Sequence, residues 1–266
     1  KARPELIGKL YPYIFDNPML KRTLQAFFAK GLDQPDDPLF SHLIRWGNTS
    51  KIKMFFSPEL KDQIGDYNGY DEVRAMLPSN YSHWDCVTKA QYLEMAVFLS
   101  NYLLSSQGDR VAMAHSLEIR VPFLDFRLME FMGRVPSKWK IFGLDEKYIL
   151  KRAFQDILPQ HIARRAKHPY RAPISDSLLD EHTKDHTLET LSQANLERSG
   201  LFDPPKVARL IKRLQSSNAG SEVNNMALVG ILSTQHVYRQ FVEGFPATPT
   251  HSTPPDRVID RREASD

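Results

Sequence analysis

Residues 108–125 read GDRVAMAHSLEIRVPFLD, and this stretch restricts the fold and the chemistry of the chain more than any other. An apolar helical face precedes Pro122, which disfavours helix at Val121 and turns the chain into a short apolar run. Six ionisable side chains lie in the same stretch, and unpaired charge is costly to bury. We therefore expect most of these charges to be paired inside the fold. From spacing alone, a purely structural network of salt bridges is an equally good interpretation.

The composition limits the class of protein. A chain of 266 residues with 41% hydrophobic side chains suffices for one large domain or two small ones. The 35 basic and 32 acidic residues nearly balance, which gives no electrostatic reason to expect a nucleic-acid partner. Cys86 is the only cysteine, and neither a long apolar run nor a signal-peptide pattern occurs. We therefore expect no internal disulfide, no membrane span and a cytoplasmic location.

Helical periodicity dominates the sequence, and strand signals are few. The predicted helices cover about 18–30, 85–117, 128–132, 145–157, 207–214 and 226–242, and Gly108 is expected to kink or break the second of these. The chain is therefore predicted to be mainly α. Residues 1–243 are expected to form one helical region, in which the Pro/Asp-rich segment 31–38 is either a linker or a loop. Residues 244–266 combine prolines with polar and charged residues, which predicts a disordered, non-catalytic tail.

Residues 143–154, GLDEKYILKRAF, predict a helix with a lysine in its first turn. Asp145 is a good candidate for the N-cap, which places Lys147 among the first helical residues. A cation there is unfavourable by roughly 0.3–1 kcal/mol, because the helix dipole already presents positive charge. The same position would help to bind an anion, since backbone N–H groups and the ammonium converge on it. A solvated surface lysine is the alternative that position alone leaves open.

Three segments together resemble one family. Residues 109–125 are similar to the asparagine synthetase signature, usually of the form DR-MAHS-E-RVPFLD. Residues 146–154, EKYILKRAF, resemble the EK-L-R-F segment of that family. Residues 164–179, RRAKHPYRAPISDSLL, resemble its R-K-GF--P----L segment, with Lys167 and Pro173 aligned. His168, Pro169 and Tyr170 stand where the family has its Gly-Phe region, a departure that bears on which acceptor is recognised.

The resemblance implies a fold, an activity and site residues. The chain would be the helical C-terminal portion of an α/β synthetase domain of the adenine nucleotide α-hydrolase-like, or PP-loop ATP pyrophosphatase, class. Such enzymes adenylate a carboxylate, typically that of aspartate, with ATP and form an amide with ammonia from glutamine. Lys147 would stabilise charge on the reacting acyl-adenylate and the departing pyrophosphate. Four signature residues would line or brace the cleft, namely Asp109, Arg110, Glu118 and Arg120. Asp125 is expected to cap the following helix, and His115 is expected to be packed and not catalytic.

Several parts of the family pattern do not occur in this sequence. It contains no SGG-D-S pyrophosphate loop and no SGEG-DE segment, and residue 1 is lysine and not a cysteine that hydrolyses glutamine. We therefore expect the glutaminase and PP-loop portions upstream in the same gene product or on a partner chain. ATP and Mg²⁺ are expected to bind the complete enzyme, whereas this chain alone should be inactive. His182 and His186 have the spacing of a helical metal pair but lack a third ligand, so no metal site is predicted.

Two alternatives remain open at this level. One is a related ligase that forms another amide or a lactam from a different acceptor. The other is a non-catalytic helical scaffold that binds a partner. Lys147 separates the catalytic interpretations from the scaffold, because only an enzyme needs its ammonium group.

Overall fold

A computed structural model of the chain describes residues 31–165, 173–216 and 222–245, together with residues 6, 25 and 27–29. The described chain is mostly helical, which confirms the mainly α prediction. Most of the helix predicted over 18–30 and all but the first two residues of the predicted tail lie outside the described residues.

The secondary structure consists of helices and one very short hairpin. The α-helices span Leu43–Thr49, Pro58–Ile64, Gly69–Ala75, Cys86–Leu93, Arg110–Ala114, Phe126–Arg134, Ser137–Lys140, Tyr148–Phe154, Gln160–Ala163, Ile174–Leu178, Lys184–Thr190, Gln193–Ser199, Pro204–Ser216 and Glu222–Tyr238. Short 3₁₀ helices span Ser50–Phe55, Tyr81–His83 and Pro122–Leu124, and π-helix spans Glu94–Asp109 and Arg239–Glu243. The antiparallel strands β1 (Ile141–Phe142) and β2 (Asp145–Glu146) pair Ile141 with Glu146 and Phe142 with Asp145.

The chain divides into two compact units. Residues 1–51 and 66–172 form the first unit, and residues 52–65 and 173–266 form the second. In the first unit Leu39, Tyr81 and Leu93 are buried, and the rings of Trp84 and Tyr92 pack edge-on against each other beside them. The extent of the synthetase-like region, residues 1–243, stays a prediction.

The core of the second unit forms between the helices Pro204–Ser216 and Glu222–Tyr238. Val207, Leu210 and Leu214 are buried along one face of the first helix, as its amphipathic pattern predicts. Leu228 and Ile231 of the second helix are fully buried in the same cluster. Both helix predictions in this part of the chain are therefore confirmed.

One continuous helical segment of the first unit leads into the signature stretch. It starts as the α-helix Cys86–Leu93, continues as the π-helix Glu94–Asp109 and ends as the α-helix Arg110–Ala114. Gly108 was predicted to kink or break this segment. A break is wrong, because Gly108 lies within the π-helical part, and a kink stays a prediction. In π-helix the backbone hydrogen bonds span five residues, and the amide of Arg110 accordingly donates to the carbonyl of Ser105.

Asp85 caps the start of this helical segment and also accepts a hydrogen bond from Ser137, 52 residues later. Its Oδ1 accepts hydrogen bonds from the amides of Val87 (2.9 Å) and Thr88 (3.2 Å) and from Ser137 Oγ (2.7 Å). Partial burial acts to raise the pKa of Asp85, but hydrogen bonds led by those of Thr88 and Ser137 outweigh it and lower the pKa to about 2. The contact with Ser137 ties the helical segment to the chain that leads into the hairpin.

A second side-chain contact, between Lys140 and Gln91, joins the same two segments. Lys140 is 7% exposed, and its Nζ donates to Gln91 Oε1 at 3.0 Å. The charged head of a lysine is rarely buried without a polar partner, because desolvation of the ammonium is costly. Asp85 and Gln91 therefore hold the short helix Ser137–Lys140, and the hairpin after it, against the first turns of the long helical segment.

Candidate active site

The signature stretch begins where the long helical segment ends. The amide of Leu117 donates to the carbonyl of Ala112 (2.9 Å), and the amide of Ser116 donates to that of Met113 (3.1 Å). These two bonds define a Schellman motif, in which the residue at Ser116 must adopt left-handed backbone. Ser116 does so with φ of 56°, although glycine usually occupies this position.

The charged residues of the signature lie on the surface. Asp109, Arg110, Glu118 and Arg120 are all exposed. Glu118 and Arg120 form an exposed ion pair (2.6 Å), whereas neither Asp109 nor Arg110 has an ion-pair partner among the described residues. The expectation that most of these charges are paired inside the fold is therefore wrong for this chain.

Asp125 and His115 also belong to the signature, and each makes a hydrogen-bond contact with a residue nearby in sequence. Asp125 caps the helix Phe126–Arg134, because its Oδ1 accepts from the amide of Arg127 at 2.9 Å, and this confirms the predicted cap. The Arg127 guanidinium lowers the pKa of Asp125 through hydrogen bonds to its carboxylate. His115 was expected to be packed, but it is exposed, with its Nδ1 2.8 Å from the carbonyl oxygen of Val111.

The surroundings of Lys147 differ from those predicted from the sequence. Asp145 does not cap the following helix, because it belongs to β2 and its carboxylate is paired with the Lys151 ammonium. A tight turn at Gly143, whose φ is 61°, closes the hairpin and sets this register. Lys147 consequently lies one position before the helix Tyr148–Phe154, as its N-cap, and not in its first turn.

Lys147 occupies a strained and accessible position. Its φ of 57° and ψ of 33° are left-handed, a conformation that costs an L-residue roughly 1–2 kcal/mol. Its carbonyl accepts the first helical bond from the Lys151 amide at 3.0 Å. The side chain is exposed and has no hydrogen bond or ion pair with any described residue, so its ammonium is available to an outside anion.

Backbone strain marks both motifs. Among the described residues, Ser116 and Lys147 are the two non-glycine positions with positive φ, and each lies in one of the family-like segments. Strained backbone of this kind persists only where the surrounding structure enforces it, and it concentrates at functional sites. No hydrogen bond or ion pair within the described part of the chain links Lys147 to Asp109, Arg110, Glu118 or Arg120. Their convergence on one cleft stays a prediction.

A cavity beside Lys147 was not predicted from the sequence. It measures about 360 Å³ and is lined by residues that include Tyr148, Arg152 and Arg164. Phe154, at the end of the helix Tyr148–Phe154, is exposed and does not line the cavity. Tyr148 and Arg152 of this helix therefore share one surface cavity with Arg164.

The described residues do not fit a metal ion or a membrane span. Over these residues, no group of three or more Cys, His, Asp or Glu side chains is placed to hold a metal, so no residue is assigned to Mg²⁺. His186 stacks on His236 of another helix with ring centroids 5.3 Å apart. No helix in the described ranges combines the length and apolarity that crossing a membrane requires.

The third family-like segment lies mainly outside the described residues. Lys167, His168, Pro169 and Tyr170 are not described, whereas Arg164 ends the preceding helix and Pro173 precedes the helix Ile174–Leu178. The interpretation of the His168–Tyr170 departure therefore stays a prediction.

Comparison with known proteins identifies relatives. The chain is 34% identical over 174 residues to a Mycobacterium tuberculosis protein named as a glutamine-hydrolyzing asparagine synthetase, covering 65% of this chain and 26% of that protein. It is 30% identical over 132 residues to Bacillus subtilis asparagine synthetase (glutamine-hydrolyzing) 1, covering 48% and 21% of the two chains. Amidase chyE of Penicillium rubens is 33% identical over 96 residues, covering 34% and 14%. No solved structure matches the chain significantly.

The relatives are much longer than the segment they share with this chain. The chain spans about a quarter of the length of the Mycobacterium relative. The family model described as Asparagine synthase matches residues 15–239, which include the signature stretch, the Lys147 hairpin and most of both compact units. By this match over most of its length, the chain belongs to the asparagine synthase family.

Proposed function

We propose that this chain is the helical C-terminal part of an ATP-dependent amidotransferase, in which Lys147 stabilises negative charge during activation of a carboxylate. The observation that carries the proposal is the pair of strained residues, Ser116 and Lys147, in the two family-like motifs. The fold around the missing nucleotide site is proposed to be the PP-loop ATP pyrophosphatase fold. ATP, with Mg²⁺, would supply the activating adenylyl group when bound by the complete enzyme.

Lys147 is suited to an electrostatic role. Its ammonium is exposed and without a partner among the described residues, so an incoming anion does not have to displace an existing ion pair. The Asp145–Lys151 pair and the hairpin register hold the backbone on both sides of it. A cation placed at developing charge lowers the barrier of the reaction, and the held backbone limits the region that this ammonium can reach.

The apolar surface around the signature supports a missing partner portion. Between residues 111 and 131 most large apolar side chains are exposed, and Phe123, Phe126 and Phe131 are 66%, 69% and 58% accessible. These three rings alone leave roughly 300–400 Å² of aromatic surface uncovered, taking about 200 Å² per ring. This area is comparable to the largest apolar patch of a typical monomer, which is often a functional surface. At roughly 25 cal/mol per Å², covering it contributes about 7.5–10 kcal/mol of gross hydrophobic free energy, which offsets part of the entropic cost of association.

The occupant of this surface is proposed to be the glutaminase and PP-loop portion, in the same gene product or on a partner chain. The chain spans only about a quarter of its Mycobacterium relative, so most of that relative lies outside the shared segment. In this arrangement Asp109, Arg110, Glu118 and Arg120 face the added portion and line or brace the nucleotide cleft. Aspartate as acceptor and glutamine as nitrogen donor are what the family resemblance implies.

Substitution of Lys147 in the complete enzyme tests the proposal. We expect Lys147→Ala to lower kcat for amide and pyrophosphate formation about 10²–10³-fold, the usual loss when one electrostatic donor is removed. Lys138→Ala is the matched control, because Lys138 is also exposed, lies nine residues earlier and has no ion pair with the described residues.

The outcomes separate the enzyme from the scaffold. Loss of activity in Lys147→Ala with normal activity in Lys138→Ala supports the catalytic role. Unchanged kcat in Lys147→Ala overturns that role and favours a helical scaffold that binds a partner. Amide formation by the complete enzyme from carboxylates other than aspartate would instead identify a related ligase.

A further inference from the structure

The cavity beside Lys147 has an unusual distribution of charge. Three cationic side chains line it, those of Lys151, Arg152 and Arg164, together with the acidic side chains of Asp145 and Asp156. Lys151 and Asp145 neutralise each other in an ion pair. Neither Arg152 nor Arg164 has an ion-pair partner among the described residues. The cavity therefore offers two free guanidinium groups and one free carboxylate, a net charge of one positive unit.

This balance favours a singly charged anion. Guanidinium groups bind carboxylate and phosphate oxygens through paired N–H donors. The carboxylate of Asp156 lies in the same cavity, and like charges in one site repel each other. A monocarboxylate neutralises the single net positive charge of the cavity, whereas a doubly charged phosphate group leaves one uncompensated negative charge beside Asp156. Charge neutralisation therefore favours a monoanionic ligand.

One wall of the cavity is a rigid aromatic ring. Tyr148 lines the cavity and stacks with Trp139 at a centroid distance of 5.9 Å and with Phe142 at 5.0 Å. Both pairs have an interplanar angle of 25°. Because β1 and the turn at Gly143 hold Phe142, the ring of Tyr148 is fixed before a ligand arrives. Because Trp139 and Phe142 already stack on this ring, a ligand would meet its edge, and a fixed aromatic edge packs well against the face of another aromatic ring.

From these features we infer that the cavity binds an aromatic monocarboxylate, with its carboxylate on Arg152 and Arg164 and its ring against Tyr148. The volume of about 360 Å³ lies at the lower end of the range for small-molecule sites. Lys147 does not line the cavity, but it lies between the lining residues Asp145 and Tyr148 in sequence, so the cavity belongs to the same hairpin and helix as the proposed catalytic residue. Resting on the proposed function, the ligand is the acceptor, an aromatic acid in place of aspartate.

A titration of this chain with benzoate, followed by isothermal calorimetry and by NMR chemical shifts, tests the inference. We expect Arg152→Gln and Arg164→Gln each to weaken benzoate binding about tenfold. Arg134→Gln is the matched control, because Arg134 is exposed in the same unit but does not line the cavity, and its binding should equal that of the unsubstituted chain. Tyr148→Leu should weaken benzoate binding without changing the binding of acetate, which has no ring.

Each result of the titration either supports or overturns the inference that the cavity binds an aromatic monocarboxylate. Benzoate that binds more tightly than acetate, aspartate and inorganic phosphate, and depends on both arginines, supports the inference. Absence of benzoate binding, or binding that survives both arginine substitutions, overturns it. Tighter binding of aspartate, phosphate or AMP at the same residues also overturns it, in favour of that ligand. These measurements involve no amide formation, so their failure is distinct from a failure of the Lys147 experiment.

Discussion

Asp85 offers a quantitative test of how the first unit is held together. Replacement by alanine leaves the amides of Val87 and Thr88 without their side-chain acceptor and releases Ser137 from the long helical segment. Loss of an N-cap carboxylate costs about 0.5–2 kcal/mol. The released Ser137 hydroxyl remains hydratable, so its bond adds on the order of 0.5–1 kcal/mol. We therefore expect Asp85→Ala to destabilise the first unit by about 1–3 kcal/mol at neutral pH.

The same residue makes part of this stability depend on pH. The pKa of Asp85 is lowered to about 2 in the folded chain, from an ordinary value near 3.8. Between these values the unfolded chain binds more protons than the folded one, so the contribution is full above pH 3.8 and is lost as the pH falls towards 2. The full shift corresponds to about 2.4 kcal/mol. Because Asp85 is exposed, solvent screening reduces this to about 1 kcal/mol.

Tryptophan fluorescence reports the first unit alone, because all three tryptophans, Trp46, Trp84 and Trp139, lie in it. Urea unfolding at a series of pH values would give the free energy of unfolding of Asp85→Ala relative to the unsubstituted chain. We expect the difference to shrink as the pH falls from about 5 to about 3. Asp66→Ala is the control, since Asp66 is exposed in the same unit and has no hydrogen bond or ion pair with described residues. A difference below about 0.3 kcal/mol, or one independent of pH, would refute the reasoning.

Three further predictions concern single residues. Ser116→Gly should raise the free energy of unfolding by up to about 1 kcal/mol, because glycine adopts left-handed backbone without strain. The urea midpoint of the tryptophan transition should rise accordingly, and a lower midpoint would contradict the Schellman geometry. The pKa of His42 is lowered, first by burial and then by the charge of Arg45. Glu94 acts in the opposite direction without outweighing them, and its Oε1 lies 3.2 Å from His42 Nε2 without hydrogen-bond geometry. The unfolded chain then binds more protons below pH 6.5, so stability should fall from about pH 7.5 to 5.5, and His42→Gln should flatten this slope. Leu228→Ala should cost about 2–5 kcal/mol in the core of the second unit, seen as earlier loss of far-UV circular dichroism; a loss under about 1 kcal/mol would contradict its complete burial.

Local sequence signals were sufficient for the longest helices, whereas eight of the fourteen α-helices in the described residues, all of seven residues or fewer, were not predicted. Apolar spacing predicted the helix Pro204–Ser216, and Asp125 was predicted as the cap of the helix Phe126–Arg134. These features depend on neighbours within one or two helical turns, so the sequence itself contains the information. The family resemblance rests on local motifs in the same way, and the match over residues 15–239 confirms it.

Lys147 shows what local signals miss. The sequence places it in the first turn of a helix capped by Asp145, yet Asp145 pairs with Phe142 in the hairpin and with the Lys151 ammonium. Because Asp145 is used in this way, the helix starts later and Lys147 takes the strained N-cap position. Capping preferences describe a residue that is free to cap, whereas pairing between strands removes that freedom.

The sequence by itself determined the mainly helical class, the family and the residue types available for chemistry. Only the tertiary structure decided where those residues lie: the signature charges are exposed, Lys147 is strained, and Tyr148 shares a cavity with Arg152 and Arg164. The physical reason is that helices form through contacts three to five residues apart, which periodicity records. Burial, ion pairing and cavities depend on which distant segments pack together, and the bond between Asp85 and Ser137 joins residues 52 positions apart.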